Sequence, residues 1–206
     1  MEGVYLVTDR ALCGERALTE VVGEAVRGGA SCVQLREKDL STRDFVAEAG
    51  AVREILRPFG VPLIINDRLD VALAVGAEGV HVGQSDMPYA TARRLMGPEA
   101  IIGVSVETWD DVEEAQGLDC DYIGVSPVFD TPTKTDTKGA WGLEGLRKIG
   151  AYSRHRLVAI GGINESNAAA VIAAGAHAIA VVSAICCAAD PRAVARGLVR
   201  MFPAGA

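Results

Sequence analysis

LVAIGGINESNAAAVIAAGAHAIAVVS, residues 157–183, reads as a strand, a helix and a second strand. Leu157–Gly161 is a short apolar run that ends in the pair Gly161-Gly162. Asn164 is placed to cap a helix that runs through Ala168, Val171 and Ile172 and stops near Gly175. Ile179–Ser183 is the next apolar run. Two strands joined by a crossover helix lie parallel in one sheet. The stretch from Ala168 to Ala189 carries no Asp, Glu, Lys or Arg, so length alone would admit a membrane span. Gly175 interrupts it, however, and Ala178 to Val182 beyond resembles a buried strand, which favours a capped helix feeding a strand.

The same unit recurs outward from this stretch. Further strands are expected at Val4–Thr8, Cys32–Leu35, Pro62–Asn66, Gly79–Val82, Ile101–Ser105 and Tyr122–Ser126. Leu18, Val21, Val22, Ala25 and Val26 form the stripe of a one-sided helix, as do Phe45, Ala49, Val52 and Leu56, with Ser41 or Thr42 as N-cap. A last helix is expected from about Pro191 to Met201. The recurrent Gly29-Ala30, Gly76-Ala77 and Gly175-Ala176 mark helix ends that feed the next strand. Eight strands, each followed by a helix, predict an α/β chain folded as a single (β/α)8 TIM barrel with parallel strands. The apolar runs lack clean alternation, as strands covered on both faces should. A doubly wound open sheet is the alternative, but no G-x-G-x-x-G follows the first strand.

The composition agrees with one such domain over residues 1–206. Spread over eight units, the 206 residues leave about 26 for each, at the short end for these barrels. Half the residues are hydrophobic, which excludes intrinsic disorder. A net charge of −7 argues against a nucleic-acid binder but leaves room for a local cationic cluster. Five cysteines (Cys13, Cys32, Cys120, Cys186 and Cys187), an odd number with no C-x-x-C spacing, predict reduced thiols in a cytoplasmic protein. The N-terminus Met1-Glu2-Gly3-Val4-Tyr5 has no basic region, so no signal peptide is expected.

Active sites of such barrels sit at the C-terminal ends of the strands, and the polar residues collect there. Gln34, Arg36 and Lys38 alternate, so an extended segment points all three to one side, which suits a polyanion. Asp67 and Asp86, at neighbouring strand ends, are hard oxygen donors for a Mg2+ bridging to phosphate. Both could instead be acids favoured by a helix N-terminus. Gly161-Gly162 after strand seven and Val182-Ser183 after strand eight occupy the usual phosphate position of these barrels. Gly pairs also serve tight turns, so position carries this reading. Thr131, Thr133 and Lys134 lie in the longest loop, which reads as a flap set up by Pro132. His81 reads as a satisfied barrel histidine. No Ser-His-Asp or Cys-His constellation emerges. Two anion sites point to group transfer with diphosphate departing.

Read in order, the motifs are recognisable. Tyr5-Leu6-Val7-Thr8-Asp9, Gln34-Leu35-Arg36-Glu37-Lys38, Ile65-Asn66-Asp67-Arg68 and the run His81 to Pro88 resemble the thiamine-phosphate synthase family. So do Ile102 to Ser105, Thr131 to Lys134, Ala159 to Ile163 and Val182-Ser183-Ala184. The resemblance implies that a hydroxymethylpyrimidine diphosphate and a thiazole phosphate are joined to give thiamine phosphate and diphosphate. It implies a pyrimidine diphosphate site of Gln34, Leu35, Arg36, Glu37, Lys38, Asn66, Ser105 and Lys134. Arg36, Lys38, Ser105 and Lys134 would assist the chemistry. Asp67 and Asp86 would hold Mg2+, and Thr131, Pro132, Thr133, Gly162, Val182 and Ser183 the thiazole phosphate. The implied mechanism is dissociative: diphosphate leaves, the aminopyrimidine stabilises the methylene cation, and the thiazole nitrogen attacks it. The implied partners are two phosphorylated small molecules, without nucleic acid or membrane, and a homo-oligomer is compatible. A thiazole tautomerase of the same lineage would not need the clamp or the paired aspartates. A regulatory pseudoenzyme should lack a metal ligand or a clamp cation. A sugar-phosphate epimerase would have no reason for Lys134.

Overall fold

The computed structural model describes residues 1–131 and 138–203. It contains β1 (Gly3–Val7), α1 (Leu18–Arg27), β2 (Cys32–Leu35), α2 (Thr42–Leu56), β3 (Leu63–Asn66) and α3 (Leu69–Val75). Then come β4 (Gly79–Val82), α4 (Tyr89–Met96), β5 (Ile101–Val106), α5 (Trp109–Ala115) and β6 (Tyr122–Val125). The chain continues with α6 (Gly142–Tyr152), β7 (Arg156–Ile160), α7 (Ala168–Ala173), β8 (Ala178–Val181), α8 (Ser183–Cys186) and α9 (Pro191–Val199). Each strand pairs in parallel with the next, and β8 pairs with β1, so the eight close into a barrel as expected.

The near-continuous burial of the strands hides a strict division of labour. Val4, Leu6, Val33, Leu35, Leu63, Ile65, Ile102, Val104 and Ile123 point outward and form one apolar layer with the helices. Their neighbours Tyr5, Val7, Cys32, Ile64, Tyr122, Val158, Ala178 and Ala180 point inward and fill the barrel. Side chains alternate along a strand, so one face packs helices while the other is free to build a site.

Helix ends follow the sequence signals with small shifts. The Ser41 hydroxyl accepts from the Asp44 N–H and caps α2. Gly29, Gly76 and Gly175 all have positive φ, and the amide of the alanine after each bonds back five residues: Ala30 to Ala25, Ala77 to Ala72, Ala176 to Val171. The recurrent Gly-Ala is therefore a repeated helix-stop of the Schellman type. Asn164 does not cap α7 directly. Its Oδ1 accepts from the Ser166 N–H at 2.9 Å and holds a separate turn, and α7 starts four residues later. The Ala168–Ala189 stretch divides into α7, β8 and α8. Among the described residues no helix is long and apolar enough to cross a membrane.

Two glycines on inward positions make room for aromatic side chains. A Cβ on Gly103 would lie 2.1 Å from Cζ of Tyr122, and one on Gly124 would lie 3.0 Å from Cε1 of His81. Gly50, inside α2, has nothing within 4 Å of an added Cβ. Gly103→Ala should therefore destabilise the chain by about 1–3 kcal/mol through overpacking. Gly50→Ala should stabilise it by about 0.5–1 kcal/mol through helix propensity. Urea unfolding of the two variants checks both signs, and equal effects would refute the packing account.

Candidate active site

A cavity of about 520 Å³ opens at the C-terminal ends of the strands. On the β2 side, Gln34, Arg36 and Lys38 line it, as their alternation predicts. Leu35 is fully buried on the helix side of the strand. Glu37 turns away to Arg10, at 3.4 Å from its Nε, and to Glu48 beyond. Within 34–38, then, only three side chains face the cavity. The Thr8 hydroxyl, itself buried, accepts from the Arg36 N–H at 3.0 Å and fixes the departure of this segment from the barrel.

Asp67 follows β3 in a left-handed conformation, φ 61°, which Asp tolerates better than most residues. Its Oδ2 accepts from Lys38 Nζ at 2.5 Å, and its Oδ1 accepts from Asn66 Nδ2. Burial raises the Asp67 pKa. The adjacent Asp86 carboxyl pushes the same way, and Lys38 opposes it. Asp86 accepts from the Gly83 N–H at 2.8 Å through Oδ2. Neither aspartate caps a helix: α3 starts at Leu69 and α4 at Tyr89. The macrodipole reading of these acids gives way to a carboxylate pair facing the cavity. Ser105 completes this side, its Oγ 2.8 Å from Nε2 of His81.

Across the cavity lie Gly161, Gly162, Val182 and Ser183. Gly161 and Gly162 have φ of 108° and 66°, and added Cβ atoms would meet Pro127 at 2.6 Å and Phe129 at 2.9 Å. These positions thus require glycine twice over, for conformation and for space. The short α8 begins at Ser183 on the same wall, and the first N–H groups of a helix have no partner within it. Thr131 and Lys138 line the rim. Pro132, Thr133 and Lys134 lie outside the described residues.

A family model described as thiamine monophosphate synthase matches residues 4–185. The chain is 57% identical over 201 residues to the thiamine-phosphate synthase of Albidiferax ferrireducens, covering 98% of this chain and 92% of that one. It is 53% identical to the enzyme of the same name from Leptospira biflexa, with 98% of each covered. The solved thiamine phosphate pyrophosphorylase from Pyrococcus furiosus superposes with a TM-score of 0.88 at 40% identity, covering 97% of this chain and 94% of that one. The chain belongs to the thiamine monophosphate synthase family. Membership gives it a transferase activity in thiamine biosynthesis, the synthesis of thiamine phosphate. A likeness at 12% identity and TM-score 0.69 to a geranylgeranylglyceryl phosphate synthase from Thermoplasma acidophilum extends to the fold alone.

The family reading of Asp67 and Asp86 as Mg2+ ligands can be set against the geometry. The Asp67 carboxyl, whose pKa is raised by burial and by the neighbouring Asp86, forms with it a pair of hard oxygen donors whose repulsion a divalent cation would relieve. Among the described residues no group of three or more His, Cys, Asp or Glu side chains gathers, so there is no all-protein cage. Mg2+ prefers such sparse sites, taking its other ligands from water and substrate phosphate. The residues fit the ion.

Tyr5, Tyr122, His81 and Lys138 also line the cavity, though sequence reasoning assigned none of them to substrate. For His81 the structure agrees with the expectation of a satisfied histidine, since both ring nitrogens have partners. The available signal was parity. Counted in steps of two from Cys32 and Gly79, Gln34 and His81 share the inward face.

Glu37, behind the clamp, is the most perturbed carboxyl of the site. Burial, then the neighbouring Glu48 carboxyl, raise its pKa from the ordinary 4.5 to about 7, against the pull of Arg10. A raised acid keeps in the folded state a proton that the unfolded chain releases. Its stabilisation is full below pH 4.5 and is lost as pH rises through about 7. Calorimetric melting from pH 4 to 8 should show wild-type stability falling across this window more steeply than that of Glu37→Gln. Parallel profiles would contradict the assignment.

Proposed function

We propose that the chain joins a hydroxymethylpyrimidine diphosphate to a thiazole phosphate in a Mg2+-assisted, dissociative transfer that releases diphosphate. The observation that supports this reading is that one cavity has two walls suited to anions. Arg36, Lys38, Asp67 and Asp86 form one, and Gly161, Gly162, Val182 and Ser183 the other. An isomerase of a single phosphate would need only the second.

In this reading Gln34, Asn66 and Ser105 seat the pyrimidine, with Arg36, Lys38 and Lys134 on its diphosphate. Asp67 and Asp86 would hold Mg2+, whose contribution would be charge neutralisation of the leaving group. Thr131, Pro132, Thr133, Gly162, Val182 and Ser183 hold the thiazole phosphate and so aim the thiazole nitrogen. Arg36 and Lys38 favour bond breaking by holding charge that grows on the departing diphosphate. Alignment of the second substrate supplies the rest. No strong base is required, which suits a site where His81 has both nitrogens engaged. Five cysteines, four of them buried, suit a reducing cytoplasm.

Incubating the purified chain with both substrates and Mg2+ should yield thiamine phosphate and diphosphate in equal amounts. Asp67→Ala and Lys134→Ala should each lower turnover by at least ~10²-fold, the usual loss for one electrostatic stabiliser. Absence of product from folded protein, or near-normal turnover of these variants at saturating Mg2+, would overturn the proposal.

A further inference from the structure

Five side chains form one hydrogen-bonded line across the floor of the cavity. Gln34 Nε2 donates to the Tyr5 hydroxyl at 3.0 Å. Tyr5 and Tyr122 hydroxyls are 2.9 Å apart, and the Tyr122 hydroxyl is 3.0 Å from His81 Nδ1. His81 Nε2 then reaches Ser105 Oγ at 2.8 Å. Both ends of the line, Gln34 and Ser105, face the cavity. The middle is dry: Tyr5 and Tyr122 are 1% and 0% exposed. The rings are also packed, Tyr5 edge-on to Tyr122 and His81 stacked on Tyr122 with centroids 5.5 Å apart. The space for them exists because Gly103 and Gly124 lack side chains.

Such a line has a direction, because each hydroxyl has one proton to give. The amide nitrogen of Gln34 can only donate, so Tyr5 accepts there and gives its own proton to Tyr122. Tyr122 in turn gives its proton to His81 Nδ1. An imidazole that accepts at Nδ1 and is neutral carries its proton on Nε2, which donates to Ser105 Oγ. A doubly protonated ring would also donate to Tyr122 and leave that hydroxyl's proton without an acceptor in a dry site, at a cost. Burial holds both phenols well above their ordinary pKa of 10, so they stay protonated and can relay. At the two ends the consequences are opposite. Gln34 is left with its carbonyl oxygen toward the cavity, and Ser105 with its hydroxyl proton.

We propose that Tyr5, Tyr122 and His81 are positioning residues that set Gln34 as an acceptor and Ser105 as a donor, and so select an aminopyrimidine over its oxo analogue. The inference rests on the assignment of this wall to the pyrimidine diphosphate. An exocyclic amino group gives its proton to Gln34 Oε1, and a ring nitrogen accepts from Ser105. An oxo group in place of the amine would set lone pairs against lone pairs at Gln34. Sites built this way reject the mismatched ligand strongly. Cutting the line at Tyr122 frees Tyr5 to donate to Gln34, and the amide can then turn over.

The test measures kcat/KM for the amino and the 4-oxo pyrimidine diphosphates with wild type, Tyr122→Phe and Tyr5→Phe. Wild type should prefer the amino substrate by ~10³-fold or more. Either Phe variant should reduce that ratio by at least ~10-fold, the weight of one net hydrogen bond. Chemical denaturation of each variant confirms the fold. Nitrogen NMR of the His81 ring, on protein without substrate, should show the proton on Nε2 in wild type and a mixture of tautomers in Tyr122→Phe. A proton on Nδ1 in wild type, or an unchanged ratio in a folded Phe variant, would overturn the inference. Absence of product from wild type with the amino substrate would instead overturn the assignment it rests on.

Discussion

Closure of the parallel sheet is the constraint on which everything else depends. Because β8 pairs with β1, each strand has a neighbour on both sides, and side chains have two destinations only. Outward residues bury against helices and are aliphatic almost without exception. Inward residues are released from that duty. Near the bottom they fill space, as Tyr5, Cys32, Ile64 and Tyr122 do. Toward the strand ends they become Gln34, Asn66, His81 and Ser105, and the closing curvature brings them together. One geometric rule thus builds the core and the site at once.

The site is electrostatically divided. Cations and carboxylates stand together on the β2–β4 wall, while the β7–β8 wall offers backbone amides and a hydroxyl. The overall charge of −7 is no obstacle to a local cationic cluster: Thr8 holds the Arg36 backbone and Asp67 the Lys38 ammonium. Glu37 stands behind this wall, its carboxyl beside Arg10 and Glu48. Between the walls lies a polar floor of hydrogen-bonded hydroxyl, amide and imidazole groups.

The strands were legible to within a residue or two because turn residues bracket each apolar run. β2 and β4 match the expected bounds, and β1 starts one residue earlier and ends at Val7 rather than Thr8. The alternation Gln34, Arg36, Lys38 was legible too, since extended backbone has a period of two. The expected Asn164 cap was displaced because its side chain found the nearer Ser166 amide. Asp67 and Asp86 had two readings in the sequence. Only the backbone at Asp67, turned left-handed, shows its carboxyl directed to Lys38 rather than to a helix end.

Local chemistry and periodicity by themselves determined the barrel, its single mouth, and the residue types gathered there. These depend on interactions within a few positions of the chain, which a sequence displays directly. The line from Gln34 to Ser105 is different. Tyr5 and Tyr122 are 117 positions apart, and His81 lies 41 from Tyr122. Nothing near either tyrosine in the chain predicts the other, and the glycines that admit them belong to β5 and β6. Only strand register across the closed sheet brings these groups within hydrogen-bonding distance, and only the dry interior makes each proton's direction count.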